Sequence, residues 1–327
     1  MSTTTTAPAP TTPSKPSHPA LATDIFSPPT FDEKQWKRAL IAADHALKKE
    51  KSALCRTSCP TTSSHPPATS VLLQGNPRTA ARNLFLFPDG SGSAASYTQL
   101  SLISSDLAVY GLNCPYLKSP EDWKCGPQEL TPLFISEIQR RQASGPYYIG
   151  GYSTGGIAAF DAAQALDRMA ERVERLILID APCPIHIQRL PGRLMEYLKG
   201  VHAFNSRGRA PPRCVFEHFE ANTKNLQKYR PRPCEAYREP STHIIYARHG
   251  VCESLEEGVP QMEIFEDDPK EMQWIMCARR DFGPMGWEKL LNDEDIHVQV
   301  VEAANHFTMM KGEAAGRLAG CIERAIG

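Results

Sequence analysis

Residues 147–160 read Tyr-Tyr-Ile-Gly-Gly-Tyr-Ser-Thr-Gly-Gly-Ile-Ala-Ala-Phe, and few folds accommodate such a stretch. An apolar run that suits a strand passes through glycines into an Ala-rich run that suits a helix. The pattern Gly-x-Ser-x-Gly is centred on Ser153. A serine on so sharp a strand-to-helix turn sits in a strained backbone conformation, and side chains two positions away on either side would collide. The turn also places Ser153 at a helix N-terminus, where the amide of Thr154 faces charge developing on a substrate oxygen. The alternative is a glycine-rich turn with an incidental serine. The strand–helix context favours a nucleophile.

From about residue 68 onward, short apolar runs alternate with helical patterns. Candidate strands are 71–74, 83–87, 107–112, 147–150, 176–179, 243–247 and 298–301; the clearest helix patterns are 129–142 and 157–173. Such alternation predicts a mostly parallel sheet covered on both faces, an α/β fold. One connection breaks the rhythm. Pro182 to Pro240 is far longer than the usual two to six or so residues between elements, which suits a lid or a substrate-binding excursion. The first 67 residues differ: a Ser/Thr/Pro/Ala tail expected to be disordered, an amphipathic helix over 31–54, and a second Ser/Thr/Pro stretch read as a linker. That helix suits either partner docking or loose packing against the domain.

A nucleophilic serine needs a base, and the base needs an orienting acid. His306 follows the last candidate strand, where the base belongs; His249 is the rival, but comes early in the Ser–acid–His order. For the acid, Asp180 ends the strand Leu176–Ile179, at the edge where ligand chemistry collects in open parallel sheets. The usual acid position, after 243–247, offers nothing before Glu253, so Asp180 is preferred. Asp161 and Asp167, on the helix after the serine, read as solvated or structural. The loop Pro88-Asp89-Gly90-Ser91-Gly92-Ser93 follows the strand 83–87, and its amides, with Gly90, Ser91 and Gly92 foremost, are candidates to join Thr154 in an oxyanion hole.

Composition excludes other classes. The chain of 327 residues balances 36 Lys+Arg against 37 Asp+Glu, which argues against nucleic acid or an acidic membrane as the main partner. No apolar run approaches the roughly 18–20 residues that span a bilayer, and Met1–Ala20 lacks the pattern of a secretory signal. Ten cysteines without repeated spacing, Cys55 and Cys59 included, read as reduced thiols of a cytoplasmic protein, with no metal site and no cofactor expected.

With these pieces placed, the chain resembles a fungal polyketide thioesterase, in particular the thioesterase/Claisen-cyclase domain that ends non-reducing polyketide synthases, within the α/β-hydrolase superfamily. The likeness is carried by Phe87–Tyr97, Tyr110–Gly126, Gly150–Gly156, Leu176–Pro184 and Asn305–Met310. It implies Ser153 as nucleophile, His306 as base and Asp180 as acid, the last on an unusually early strand. Two residues depart from it: Tyr152 stands where Trp is common, and Thr154 where Ala is frequent. If the likeness holds, a freestanding enzyme takes an acyl group from the carrier domain of a separate polyketide synthase, or from acyl-CoA. It releases that group by hydrolysis or by ring closure.

The stretch 188–240 carries eleven Lys/Arg against five Glu, a net of +6 in a chain of net −1. A basic lid suits an acidic carrier or a CoA phosphate; a merely solvated basic surface reads equally well. Its aromatics, among them Phe204, Phe216, Phe219 and Tyr229, suit either an acyl channel or the packing of lid helices. Two other functions fit the chain: a carboxylesterase or lipase acting on oxygen esters, with the same three residues, and a binding subunit that has lost catalysis.

Overall fold

Strand β2 (Arg82–Phe87) shows why the sheet lies in the middle of the molecule. Successive side chains point to opposite faces, and here both faces are apolar: Leu84 and Leu86 enter one core, Phe85 and Phe87 the other. A strand buried on both sides needs cover on both sides. The computed structural model describes Met1 and residues 65–205, 210–234, 240–253 and 262–327. The helix expected over 31–54 and the Cys55/Cys59 pair lie outside these residues.

Six further strands complete the sheet: β1 (Thr69–Gln74), β3 (Leu107–Asn113), β4 (Tyr147–Tyr152), β5 (Val173–Ile179), β6 (Ser241–Ala247) and β7 (Ile296–Val301). Their order is β1-β3-β2-β4-β5-β6-β7, with β1 antiparallel to β3 and every other pair parallel. All seven candidate strands are present, each one to three residues longer than its apolar run.

On one face, α1 (Thr131–Arg141) and α2 (Thr154–Arg168) supply Phe134, Ile138, Phe160 and Leu166 to the core around Phe85 and Phe87. On the other, α6 (Gly312–Ile326) buries Ala315, Leu318, Ala319 and Ile322, the spacing of a helix packed along one stripe. Helix α2 is shorter than the pattern 157–173 predicts. Ala170 adopts a left-handed conformation (φ 57°) and the Glu171 amide returns to the Leu166 carbonyl at 2.9 Å, closing the helix and freeing Val173 to begin β5.

The long connection from β5 to β6 carries two helices, α3 (Gly192–Gly200) and α4 (Arg213–Leu226). A short helix α5 (Lys270–Met276) follows β6, and its Met272, Ile275 and Met276 pack with Leu194 and Leu198 of α3. Among the described residues no helix is long and apolar enough to cross a membrane.

Candidate active site

Ser153 sits between β4 and α2 with φ 56° and ψ −128°, a backbone conformation that costs energy for any residue but glycine. The neighbouring glycines are required by contact. A Cβ on Gly151 would come within 2.2 Å of the Gly155 carbonyl group, and one on Gly155 within 2.6 Å of the Phe87 oxygen. Hydrogen bonds hold the turn from below. The Ser153 amide donates to Ile179 O at 2.9 Å. Tyr97, fully buried, donates its hydroxyl to Phe87 O (2.5 Å) and accepts from the Tyr152 amide (2.8 Å). Burial pushes the Tyr97 phenol far above its ordinary value, so it keeps the proton that this bridge needs.

Asp180 leaves the end of β5 with φ 46° and is buried to 1% exposure. Its Oδ2 meets His306 Nδ1 at 2.7 Å. Its Oδ1 accepts from the Ala247 amide (2.9 Å) and from Arg279 Nη1 (2.5 Å). Burial alone would raise this carboxyl, but the Arg279 guanidinium and His306 outweigh it and hold Asp180 below the usual carboxylate range. His306 lies on the loop after β7. That loop is pinned by Asn305, whose side-chain oxygen accepts from the Phe307 and Thr308 amides, both at 3.0 Å. The imidazole stacks on Tyr152 (centroids 4.8 Å) and meets Trp274 edge-on (4.9 Å), while the Tyr152 hydroxyl donates to the His306 carbonyl. With Nδ1 given to Asp180, Nε2 is the nitrogen left for other chemistry.

Ser153 and His306 line one cavity of about 690 Å³, bounded by α3, α4 and α5. Asp180 and His306 are joined directly. Ser153 meets them as a neighbour in the cavity wall, with no hydrogen bond to the imidazole among the described residues. An acid-oriented imidazole beside a serine on a strained turn is equipped for acyl transfer. The sequence profile of the family described as "Thioesterase domain" matches residues 82–326.

The chain belongs to the thioesterase-domain family.

Membership implies hydrolase or acyl-transfer activity. Among curated proteins, this thioesterase domain is 47% identical over 278 residues to the conidial pigment polyketide synthase alb1 of Aspergillus fumigatus. It is 46% identical over 281 residues to the conidial yellow pigment biosynthesis polyketide synthase of Emericella nidulans. Each match takes in 82% of the chain and 13% of the relative, so the chain spans about an eighth of the length of these synthases. Among solved structures it is similar to the NocB thioesterase domain (TM-score 0.56, 21% identity, 80% of this chain and 99% of that one). It is also similar to a four-domain nonribosomal peptide synthetase (TM-score 0.59, 19% identity, 80% and 20%). These likenesses show the fold: the thioesterase domain has the α/β-hydrolase architecture.

Two of the amides expected at the oxyanion position are already committed. Ser91 N donates to the Asp89 carboxylate and Gly92 N to the Asp89 carbonyl, each at 2.9 Å, closing the loop on itself. Asp89, unremarked in the sequence, is what takes them. The expectation therefore narrows to Gly90 and Thr154. Neither His249 nor Asp161 lines the cavity: the His249 amide donates to Ala304 O, and Asp161 is held by Thr131 and by the Tyr229 hydroxyl at 3.2 Å. The side chain of Glu253 lies outside the described ones.

Four contributors to the site were not singled out by the sequence: Asp89, Arg279, Tyr97 and Trp274. Asp89 and Tyr97 left a local trace, both within the stretch Phe87–Tyr97 that carries the family likeness. One group among the described residues could hold a metal ion. His65, Cys125 and Glu129 have ligand atoms within 4.8 Å of one another, and none of the three lines the Ser153 cavity.

Proposed function

We propose that this thioesterase domain releases a polyketide acyl chain from an acyl carrier domain of a separate synthase chain, with acyl-CoA as the alternative donor, through an acyl-serine intermediate in the cytoplasm. The active unit runs from about residue 68 to 327, with 182–240 as its lid. The observation that carries this reading is the buried 2.7 Å bond between His306 and Asp180 at a cavity that also presents Ser153.

His306 Nε2 takes the proton of Ser153 Oγ as the oxygen attacks the thioester carbonyl. The amides of Gly90 and Thr154 receive the developing oxyanion. Collapse breaks the carbon–sulfur bond, and the imidazolium returns its proton to the departing thiolate. The acyl-serine then meets either water, giving an acid, or a carbon or oxygen nucleophile of its own chain, giving a ring. Asp180 stays ionised throughout and stabilises the imidazolium. The cavity falls within the range of about 300–1,000 Å³ typical of small-molecule sites, and Phe216, Phe219 and Leu198 give it an apolar wall. At its rim Arg189 and Lys199 are exposed cations suited to an acidic carrier surface.

The same residues could cleave an oxygen ester, so the test compares a thioester and an oxygen ester of one acyl chain. The expected result is faster turnover of the thioester. Preference for the oxygen ester would replace this reading with that of a carboxylesterase.

A further inference from the structure

Close to the nucleophile turn lies a second, much smaller cavity of about 30 Å³, among whose lining residues are Trp123, Thr154, His218 and Asn222. Each of these four carries a buried polar atom that makes no well-formed hydrogen bond within the protein: Trp123 Nε1, whose polar neighbour is the soft Cys125 sulfur, Thr154 Oγ1, His218 Nε2 and Asn222 Oδ1. Buried polar groups in native folds almost always find a partner, so four such atoms around one space point to an occupant.

The size and the chemistry agree on what it is. A cavity needs about 10–15 Å³ to admit a water, which this one provides, and a buried water makes about two to four hydrogen bonds. The indole N–H can only donate, and the Asn222 oxygen can only accept. His218 Nδ1 stands 3.1 Å from the Gly90 carbonyl, which only accepts, so Nδ1 bears the proton and Nε2 of the neutral ring is an acceptor. Burial pushes the His218 imidazole below its ordinary value, in keeping with the neutral ring. The Thr154 hydroxyl supplies the second donor. Asp89 also faces the cavity, but its carboxylate is taken up by Ser91 and Ser96. Leu130, Phe134 and Ile157 make much of the remaining wall apolar.

We propose that one water molecule occupies this cavity as a fixed part of the fold, donating to His218 Nε2 and Asn222 Oδ1 and accepting from Trp123 Nε1 and Thr154 Oγ1. Two donors and two acceptors match its capacity with none left over. The water ties α4, through His218 and Asn222, to the residue that follows the nucleophile. His218 also holds the Gly90 carbonyl, and its ring fills the space beside Gly92, where a Cβ would fall 2.2 Å from it. The glycine loop, the nucleophile turn and the helix of the β5–β6 connection thus share one polar node. A shift of α4 is felt at both places where the oxyanion donors are expected.

The test is a crystal structure at a resolution that shows ordered water, together with water-exchange NMR on the Trp123 indole N–H of the full chain. The expected result is a single peak within hydrogen-bond distance of all four atoms, and a cross-peak between the indole proton and a long-lived water. Asn222→Leu fills the cavity and removes an acceptor, so the folded variant should lose that cross-peak. An empty cavity with the four side chains placed as described, a direct Thr154–His218 hydrogen bond, or an unchanged cross-peak in folded Asn222→Leu would overturn the proposal. Should the leucine variant not fold, the wild-type measurements decide alone.

Discussion

Asp180 is bound on both oxygens, by His306 on one side and by Arg279 and the Ala247 amide on the other. Arg279 is itself buried to 8% exposure and lies between the rings of Tyr246 (4.6 Å) and Trp274 (4.8 Å), so its charge is poorly screened. Among the described residues the Arg279 cation and the rings of Tyr152, Trp274 and Phe307 face the His306–Asp180 couple, and Glu271 of α5 lines the same cavity. The depressed Asp180 carboxyl contributes stability that is present above the ordinary carboxylate range and is lost only as pH falls through its lowered value. Arg279→Gln removes a positive charge beside the couple, which then accepts a proton more readily. The acidic limb of kcat/KM should move to higher pH by about one unit. Arg279→Lys keeps the charge and should leave the limb in place. A merely structural arginine would lower kcat/KM in both variants without moving the limb, and pH–rate profiles of the two distinguish these outcomes.

At the scale of elements, the turn between β4 and α2 is where the sequence was most legible. Glycine spacing, an apolar run and an Ala-rich run are local signals, and the collision they imply is present: Gly155 has no room for a Cβ against Phe87 O. Gly155→Ala should lower stability by about 1–3 kcal/mol or prevent folding, because backbone rather than a flexible side chain blocks the methyl group; thermal unfolding of the purified variant measures it. The strands were legible for the same reason, since each is a short apolar run bounded by turn residues. What escaped depends on partners far along the chain. Arg279 and Asp180 are 99 residues apart, and nothing near Arg279 marks it as buried. The loop 89–93 likewise depends on partners far along the chain. Its glycines at 90 and 92 lie against Phe219 and His218 of α4, where a side chain would collide. Tyr152, an apparent departure from the family likeness, stacks on His306 and binds its carbonyl, a role that the tryptophan common there could share only in part. The aromatics of the long connection divide between both readings: Phe216 and Phe219 line the large cavity, while Tyr229 packs with Ile157 and Leu226.

For the molecule as a whole, the positive charge of the β5–β6 connection is spread over an exposed surface that includes Lys224, Lys228, Arg230 and Arg232. At the cavity rim Arg213, itself 91% exposed, is paired with Glu217, and Arg189 and Lys199 are further exposed cations. Reversing both, as Arg189→Glu with Lys199→Glu, should raise KM for a carrier-bound thioester and flatten its dependence on salt, while KM for a small thioester stays unchanged. Equal effects on both substrates would assign the two cations to the acyl cavity instead of the carrier. All of this presupposes that the acyl group passes through one named oxygen. The most direct measurement is peptide-resolved mass spectrometry after brief mixing with an acyl-carrier thioester. The expected result is an acyl adduct on the peptide containing Ser153, with neither adduct nor product release from Ser153→Ala. An adduct elsewhere, or undiminished product release by Ser153→Ala, would contradict the account.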